Sequence, residues 1–449
     1  MSIPSERIEY LYSIRSVRET NQCTDNLIEV DKLTNFDVDY QQFDSVADFV
    51  ISTIKSKYPT DESLLTIPIH GRYQHFEGNN KPRLTDLIAT QFKDLTDLEI
   101  CKKLVDLFMV SVLLDAGAGN SWKYVEDDGT EVLRSEGLAV ATFHMFTDGL
   151  FSSSIDDRYV VNGSKLAQLT TEEVEKGFQV TENNPIAGFD GRYQMIKQLG
   201  ETLVANKVIF GQDARPGNMI DYLIANKAKS KTEKGQLKLD LDDLWMCLIK
   251  SLQPIWPSEG RIRLYGQVIG DVWYLNDRIN LSKADLGIEN IPEWSKVVTF
   301  HKLVQWLTYS LFLPLQKYGH FEILNSNYMT GLPEYRNGGL FVDFKLLTLK
   351  PDRLRQGLQF SRKVGFNPEI PTFTPENDVI VEWRSCTICL LDRLLPLVNK
   401  KMGITGTRYE LTLPQLIEAG SWCSGRAIAK KLRVDGGPPI ELFADGTVF

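Results

Sequence analysis

The segment Leu332–Asp343 carries the most varied set of reactive side chains in the sequence. It reads LPEYRNGGLFVD and places two carboxylates, a guanidinium, a phenol and a carboxamide around a glycine pair. The glycines, Gly338 and Gly339, can adopt positive φ or let a ligand approach the backbone closely. The apolar run Leu340–Val342 predicts a short buried strand that ends at Asp343. The segment is therefore either a ligand site or a structural turn whose polar groups satisfy one another.

A second polar set lies in the apolar segment Phe300–Tyr309. At about 100° per residue, four of its polar side chains would share one face of a helix: His301, Gln305, Thr308 and Tyr309. The other positions are apolar, so the helix should be buried and its polar face should meet a partner, a water or a ligand. A single core histidine bound to a carbonyl is common, but four polar side chains on one helix face favour a ligand-binding surface.

Two further carboxylates lie in apolar surroundings. Glu382 stands in VIVEWR at the start of a predicted helix, where burial would raise its pKa and let it donate a proton. The alternative for Glu382 is an ion pair with an arginine: Arg384, Arg393 or Arg336. In YGQVIGDVW, two glycines precede Asp271 and Trp273.

The run SVLLDAGAGNSWKY predicts an apolar helix that ends in a glycine-rich turn. Backbone N–H groups of such a turn can bind an oxyanion or a sugar hydroxyl. A helix C-cap explains the glycines equally well, but it does not explain Asn120 followed by Trp122 and Tyr124. The next polar motif, RSEG at Arg134–Gly137, adds a charge pair before a helix of small residues.

Helical periodicity dominates the chain and predicts a mainly α protein with a few short β segments. Helices are expected at Val46–Lys57, Asp97–Leu114, Glu136–Phe146, Tyr193–Val208, Leu241–Leu252, Thr299–Leu313, Val379–Asn399 and Pro414–Leu432. Strands are expected at Thr66–Ile69, Arg261–Leu264, Leu340–Val342 and around Val434 with Ile440–Phe443. The predicted architecture is one compact unit, residues 1–449, with interleaved lobes and a weak boundary at Asn226–Lys238.

The composition, with 43% hydrophobic and 24% charged residues, is ordinary for a soluble globular protein. A net charge of −9 argues against nucleic acid as the partner, and no apolar run is long enough to predict a membrane span. The N-terminal sequence has no signal-peptide pattern, and the six sparse cysteines suit reduced thiols, so a cytoplasmic protein without disulfides is expected. The five histidines show no metal-ligand spacing, so we expect no metal and no cofactor. The sequence does not indicate an oligomeric state.

Several of these motifs together resemble a known family across nearly the whole chain. They are SVLLDAGAGNSWKY, LRSEGLAVATFHMF, FHKLVQWLTYSL, GLPEYRNGGLFVD, VEWRS and the terminal ADGTVF. They resemble the fungal and bacterial uracil-catabolism family of the ring-opening pathway, long classed as a domain of unknown function. The resemblance implies a step after ring opening, in which ribosylurea or its 5′-phosphate loses urea. It also implies a fold related to the all-helical N-glycosylases.

Releasing urea from C1′ of ribose requires a carboxylate near the developing oxocarbenium ion and an acid at the leaving group. Asp343 is predicted as the carboxylate and Glu382 as the acid, with Asp271 in reserve. Residues expected to hold the urea or the ribose are His301, Gln305, Tyr309, Glu334, Tyr335 and Asn337. Arg336 or Arg384 is expected to bind a 5′-phosphate. Trp122, Tyr124 and Trp273 are expected to form the walls of the pocket.

Two other functions remain open. Hydrolysis of the ureido amide would need a metal or a Cys or Ser nucleophile with a base, and the sequence offers no clear set. A non-catalytic scaffold in the same pathway would present exposed aromatic side chains and no enclosed polar pocket.

Overall fold

The computed structural model describes residues 4–119, 121–228, 230–233, 235–256 and 258–443. Asn120 and the terminal motif Ala444–Phe449 lie outside these residues. The chain divides into two compact units: unit 1 comprises 1–70, 258–302 and 327–444, and unit 2 comprises 71–257, 303–326 and 445–449. Each unit is therefore assembled from segments that are far apart in sequence, and the stretch 226–238 lies within unit 2.

Unit 1 is mainly helical, as predicted. Its α-helices are Pro4–Tyr12, Ile14–Glu29, Phe43–Lys57, Asp61–Leu64, Asn276–Leu286, Tyr335–Asp343, Pro351–Val364, Asp378–Met402, Leu413–Leu416 and Trp422–Leu432, with a π-helical turn at Ile417–Ser421 and 3₁₀ turns at Tyr40–Gln42 and Glu293–Lys296. Its strands form short pairs: Phe36–Val38 with Leu347–Leu349, Arg263–Leu264 with Gln267–Val268, and Val272–Tyr274 with Val297–Thr299, all antiparallel, and Thr372–Phe373 with Glu441–Leu442, parallel.

The core of unit 1 joins its first and last segments. Side chains such as Leu33, Phe36 and Val50 from the first segment pack with Leu340 and Leu390 from the last. The long helix Asp378–Met402 crosses this core and is buried along most of its first half. Burial of this apolar surface is the main stabilising contribution available to the unit.

Unit 2 is also mainly helical. Its α-helices are Arg72–Phe76, Arg83–Thr90, Asp97–Leu113, Arg134–Thr147, Gly163–Gln168, Thr171–Gly177, Phe189–Ala205, Lys207–Phe210, Met219–Asn226, Leu241–Leu252 and Lys302–Lys317, whose first residue belongs to unit 1, with 3₁₀ turns at Gly78–Asn80, Pro216–Asn218 and Gln253–Ile255. Its strand pairs are Lys123–Val125 with Glu131–Leu133, antiparallel, and Leu237–Asp240 with Phe321–Leu324, parallel. A further 3₁₀ turn, Ser326–Tyr328, spans the division between the units.

Several predicted elements differ from the structure. Leu340–Val342 is helical rather than a strand, and Thr66–Ile69 forms no strand. Thr299 belongs to a strand, and the helix predicted from there begins at Lys302. Two N-terminal helices, Pro4–Tyr12 and Ile14–Glu29, were not predicted. Among the described residues, none of the helices combines the length and the apolar character needed to cross a bilayer.

Candidate functional site

The carboxylate of Asp271 in unit 1 is partly exposed and held by four hydrogen bonds. It directly precedes the strand Val272–Tyr274, whose pairing with Val297–Thr299 fixes its position. Its carboxylate accepts hydrogen bonds from Arg384 Nη1 (2.8 Å) and Nη2 (2.7 Å), from the indole of Trp273 (2.6 Å) and from the backbone N–H of Lys302 (3.0 Å). Such an arrangement fixes the orientation of the carboxylate before any ligand arrives.

These donors also keep Asp271 ionised. Burial alone would raise the pKa of Asp271, but the paired Arg384 and the N–H donors hold it well below its usual range. The Asp271 side chain is nevertheless 22% exposed, against 9% for Arg384. Asp271 is thus a permanently charged carboxylate at the edge of the core, where a small molecule can reach it.

His301 lies beside this ion pair in a strained conformation. Its φ is +44°, which is uncommon for a residue other than glycine, and it is not part of the helix that begins at Lys302. Its Nε2–H donates to the carbonyl of Leu11 at 2.7 Å, and its ring stacks on Tyr12 with 6.4 Å between centroids. Burial lowers the pKa of His301, so the imidazole is neutral at pH 7.

The prediction that His301 shares a helix face with three other polar residues is wrong. His301 precedes the helix, because its left-handed backbone ends the strand–turn segment there. Gln305, Thr308 and Tyr309 lie on the helix and belong to unit 2. Gln305 is fully buried, and the hydroxyl of Thr308 donates to the carbonyl of Val304 at 2.7 Å.

Glu334 is a second carboxyl close to Lys302. It caps the helix Tyr335–Asp343 by accepting the backbone N–H groups of Arg336 (2.8 Å) and Asn337 (2.6 Å). Burial raises the pKa of Glu334, and this outweighs the lowering by those N–H groups and by the charge of Lys302. Lys302 therefore connects the two carboxyls, since its backbone binds Asp271 and its charge acts on Glu334.

We call these residues of unit 1 the Asp271 cluster: Asp271, Trp273, His301, Lys302, Glu334 and Arg384. It combines one carboxylate with a strongly lowered pKa and one carboxyl with a raised pKa. Two titratable groups whose pKa values are pushed apart are typical of an acid and a charge-stabilising base in one site.

Asp343 has a different environment from the one predicted. It ends a helix rather than a strand, and its oxygens accept from Arg433 Nη1 (2.7 Å) and Nη2 (2.6 Å). Its side chain is only 4% exposed. The contacts of Asp343 are those of a structural ion pair, so the geometry favours Asp271 for the carboxylate role.

The glycine pair serves helix packing rather than a turn. Gly338 lies inside the helix Tyr335–Asp343, and a Cβ there would come within 2.6 Å of Thr387 Oγ1 and 3.0 Å of the Trp383 ring. The Trp383 indole also donates to the carbonyl of Gly338 at 3.0 Å. Only glycine allows the two helices to approach so closely.

The other polar residues of this helix have structural partners as well. Arg336 donates to the carbonyl of Gly436 at 3.0 Å, and its guanidinium lies 4.7 Å from the ring centre of the exposed Tyr335. Asn337 is fully buried, donates to the carbonyl of Leu332 at 3.1 Å and accepts from Ser421 Oγ at 2.8 Å.

Glu382 belongs to a separate buried pair. It accepts the backbone N–H groups of Thr34 (2.7 Å) and Asn35 (2.8 Å). Its partner is the carboxyl of Asp277, which also accepts from Thr34 Oγ1 at 2.5 Å, and not one of the arginines considered in the sequence. Burial, and next the neighbouring Asp277, raise the pKa of Glu382 well above its usual range, so the pair holds a proton. Glu382 is 0% exposed, so a ligand cannot reach it in this conformation.

The aromatic residues predicted as pocket walls are distributed over both units. Trp273 belongs to the Asp271 cluster, whereas Trp122 and Tyr124 belong to unit 2. Trp122 is buried and donates to the carbonyl of Phe178 at 2.9 Å, and Tyr124 stacks on His144 with 5.6 Å between ring centroids. Tyr309, also in unit 2, packs edge-on against Phe312.

Unit 2 contains a polar cluster that sequence analysis did not assemble. Fully buried Arg72 pairs with Asp115 at 2.8 Å, and Asp115 also accepts from Ser135 Oγ (2.6 Å) and from the Trp306 indole (3.1 Å). His75 Nδ1 lies 3.1 Å from Ser135 Oγ. Asp115, Ser135 and Trp306 come from three of the motifs noted in the sequence, and they are brought together only by the fold. The described residues include no group of His, Cys, Asp and Glu arranged to hold a metal ion.

Comparison with known proteins places the chain in a defined family. A family model described as "Protein of unknown function (DUF1688)" matches residues 10–449, and the chain belongs to this family. It is 46% identical to "Uracil catabolism protein 4" of Lachancea kluyveri over 450 residues, covering 98% of this chain and 99% of that protein. It is 42% identical to "Protein urg3" of Schizosaccharomyces pombe (strain 972 / ATCC 24843) over 448 residues, covering 99% and 100%. The family predicted from the motifs is confirmed.

Proposed function

We propose that this protein acts in uracil catabolism by hydrolysing the N-glycosidic bond of ribosylurea, or of its 5′-phosphate, and releasing urea. The printed name of the Lachancea kluyveri relative supports the pathway. The Asp271 cluster supports the chemistry. The observation that carries the proposal is that a partly exposed, permanently ionised Asp271 and a carboxyl of raised pKa, Glu334, both interact with Lys302.

Asp271 supplies the negative charge that the reaction needs. As the bond between C1′ and the urea nitrogen breaks, positive charge develops on C1′ and the ring oxygen. A preorganised carboxylate stabilises this charge without reorganising at the moment of reaction. Arg384, Trp273 and the N–H of Lys302 hold Asp271 in one orientation for this purpose.

Glu334 supplies the proton. Burial raises the pKa of Glu334 and so favours its protonated form, which can transfer a proton to the departing urea nitrogen. Water then adds to C1′ and releases a proton, which restores the carboxyl of Glu334. Neutral His301, fixed by Leu11, adds no positive charge beside the oxocarbenium ion.

One observation favours hydrolysis of the ureido amide as the second candidate. Ser135 Oγ lies 3.1 Å from His75 Nδ1, which is the contact of a nucleophile with its base. However, the shorter contact of Ser135 Oγ, at 2.6 Å, is to Asp115, so its hydroxyl proton points to that carboxylate rather than to the histidine, unlike the serine of a catalytic triad. The products distinguish the two reactions, because amide hydrolysis yields ammonia whereas glycosidic hydrolysis yields urea and free ribose.

The test is to incubate the purified protein with ribosylurea, with and without a 5′-phosphate, and to measure urea, ribose and ammonia. Asp271→Asn should lower urea release at least about 10²-fold, since it removes the charge opposite the oxocarbenium ion. Asp285→Asn, an exposed carboxylate of unit 1, is the control and should release urea like the unmodified protein. Thermal midpoints of both variants show whether the folded state survives. Ammonia in place of urea, or no product at all, contradicts the proposal.

A further inference from the structure

Two arginines of unit 1 make the same ion pair with an aspartate but differ at one nitrogen. Arg384 binds Asp271, and Arg433 binds Asp343, each through both terminal nitrogens. The Nε–H of Arg433 also donates to the carbonyl of Gly437 at 2.7 Å. The Nε of Arg384 is buried and has no hydrogen-bond acceptor in the described structure. A buried donor without an acceptor is rare in native proteins and calls for a specific explanation.

Nε is the one guanidinium nitrogen of Arg384 that has no acceptor in the described structure. Each terminal nitrogen donates one hydrogen bond to Asp271, and the ring of Phe300 covers the guanidinium plane, with 4.0 Å from Cζ to the ring centre. The paired carboxylate is partly exposed, at 22% of its side chain. A molecule bound beside Asp271 could supply the acceptor for the Nε–H.

The charge of the pair indicates what kind of acceptor this is. Asp271 is ionised and compensates the charge of Arg384, so an anion such as phosphate would gain little attraction and would meet the carboxylate. A neutral carbonyl oxygen avoids this repulsion. The carbonyl oxygen of a ureido group is a neutral acceptor of this kind.

We propose that Arg384 is the residue that recognises the ureido group of the substrate. Its Nε–H donates to the carbonyl oxygen of that group, which would lie beside the Asp271–Arg384 pair. This assignment replaces the expected role of Arg384 in binding a 5′-phosphate. It rests on the proposed function for the identity of the natural substrate, but binding of a ureido group can be measured without turnover.

The experiment compares Arg384→Lys with Arg433→Lys in the full chain. Both variants keep the positive charge and lose the guanidinium, and only the first loses an unused Nε–H donor. The probes are ethylurea, ethylguanidinium and inorganic phosphate, with binding followed by ligand-observed NMR. Ethylurea should bind the unmodified protein, and Arg384→Lys should weaken this binding about tenfold, which corresponds to one charge-assisted hydrogen bond. Arg433→Lys should bind ethylurea within about twofold of the unmodified protein, because Arg433 binds Asp343 and is not part of the Asp271 cluster.

Equal ethylurea affinity in Arg384→Lys and the unmodified protein would overturn the assignment. So would tighter binding of phosphate or ethylguanidinium than of ethylurea. Should Arg384→Lys melt early, the neutral double variant Asp271→Asn with Arg384→Gln leaves no buried charge unpaired, and ethylurea binding undiminished in it overturns the assignment too. If Arg384 is needed for ethylurea binding but ribosylurea yields no urea, the recognition role stands and the proposed reaction fails.

Discussion

Asp271 and Asp343 show how burial gives chemically identical side chains different uses. Each accepts two hydrogen bonds from one arginine, yet 22% of the Asp271 side chain is exposed and only 4% of the Asp343 side chain. In the buried Asp343–Arg433 pair, each charge stabilises the fold mainly by compensating the other. The exposed edge of Asp271 instead allows contact with a ligand. Neither the partner nor the exposure is visible in the sequence, which is why Asp343 seemed the stronger candidate there.

Replacing Asp343 by asparagine tests its structural role. Asp343→Asn leaves Arg433 without its counter-charge, and removing one member of a buried pair costs about 3–5 kcal/mol of unfolding free energy. Urea release per folded molecule should be unchanged. Both quantities can be measured on one preparation, by denaturant unfolding and by the urea assay. A variant that is as stable as the unmodified protein but inactive would restore Asp343 as the catalytic carboxylate.

The titration of Glu334 gives the proposed reaction a characteristic pH dependence. The proton donor must be protonated, so the rate should fall as pH rises through the raised pKa of Glu334. Asp271 stays ionised far into the acidic range and should not limit the rate there. Glu334→Gln should lower kcat and remove this alkaline decline, while the amide oxygen still accepts one helix N–H. An unchanged pH–rate profile in Glu334→Gln would exclude Glu334 as the acid.

At the scale of elements, the sequence predicted the long helices that have a sustained apolar pattern. Asp97–Leu114 was predicted from this periodicity, and the helix spans Asp97–Leu113, with Thr96 capping its first turn through the N–H of Glu99. Val379–Asn399 was predicted in the same way, and the helix spans Asp378–Met402, with Asn377 at its N-cap.

The helix Ile14–Glu29 escaped prediction because half of the residues on its buried face are polar. Ser16, Thr20, Asn21 and Thr24 are all buried. Ser16 Oγ lies 2.8 Å from Thr299 Oγ1, and Ser385 Oγ donates to Thr24 Oγ1 at 2.7 Å. Apolar spacing predicts that such polar residues face the solvent. A helix whose buried face is held by side-chain hydrogen bonds is therefore not predicted.

The helix Tyr335–Asp343 was misread for a related reason. Leu340–Val342 alone has the composition of a short buried strand, and two glycines before it suggest a turn. The decisive facts are non-local: Glu334 caps the helix, and Trp383 and Thr387 of another helix require a residue without a side chain at Gly338.

Gly338→Ala tests this close approach. The added methyl would meet Thr387 Oγ1 at 2.6 Å, so the two helices must separate, and overpacking of this kind costs about 1–3 kcal/mol. Gly339→Ala is the matched control, because its Cβ would meet only Pro439, at 3.1 Å and more. Chemical denaturation of both variants measures the difference between their unfolding free energies. Equal stability of the two would show that the helices do not need the glycine.

At the scale of the molecule, the Glu382–Asp277 pair connects the three segments of unit 1. Thr34 and Asn35 belong to the first segment, Asp277 to the second and Glu382 to the third. The shared proton makes this connection sensitive to pH. Below the ordinary pKa of glutamate, the folded and unfolded states both hold the proton, and the stability from this site is fully present. Above it only the folded state does, so stability falls as pH rises towards the raised pKa.

The unfolding free energy of the protein should therefore decline with pH in this window, by at most about 1.4 kcal/mol per pH unit from this site. Asp277→Asn removes the neighbouring charge that helps to raise the pKa of Glu382, so the decline should end at a lower pH. Asp285→Asn, an exposed carboxylate on the same helix, should leave the profile unchanged. An identical profile for Asp277→Asn and the unmodified protein would contradict the shared proton.

The division of unit 1 into three segments also has a consequence during synthesis. Residues 1–70 leave the ribosome early, but the core that covers Leu33, Phe36 and Val50 includes Leu340 and Leu390. At about 5–20 residues per second, the roughly 320 residues from the end of the first segment to Leu390 take between about 16 and 64 seconds to appear. Throughout that interval the apolar face of the first segment lacks its partners in the nascent chain, while residues 71–257 of unit 2 have already been synthesised. We therefore expect the N-terminal segment to depend on chaperones while translation continues.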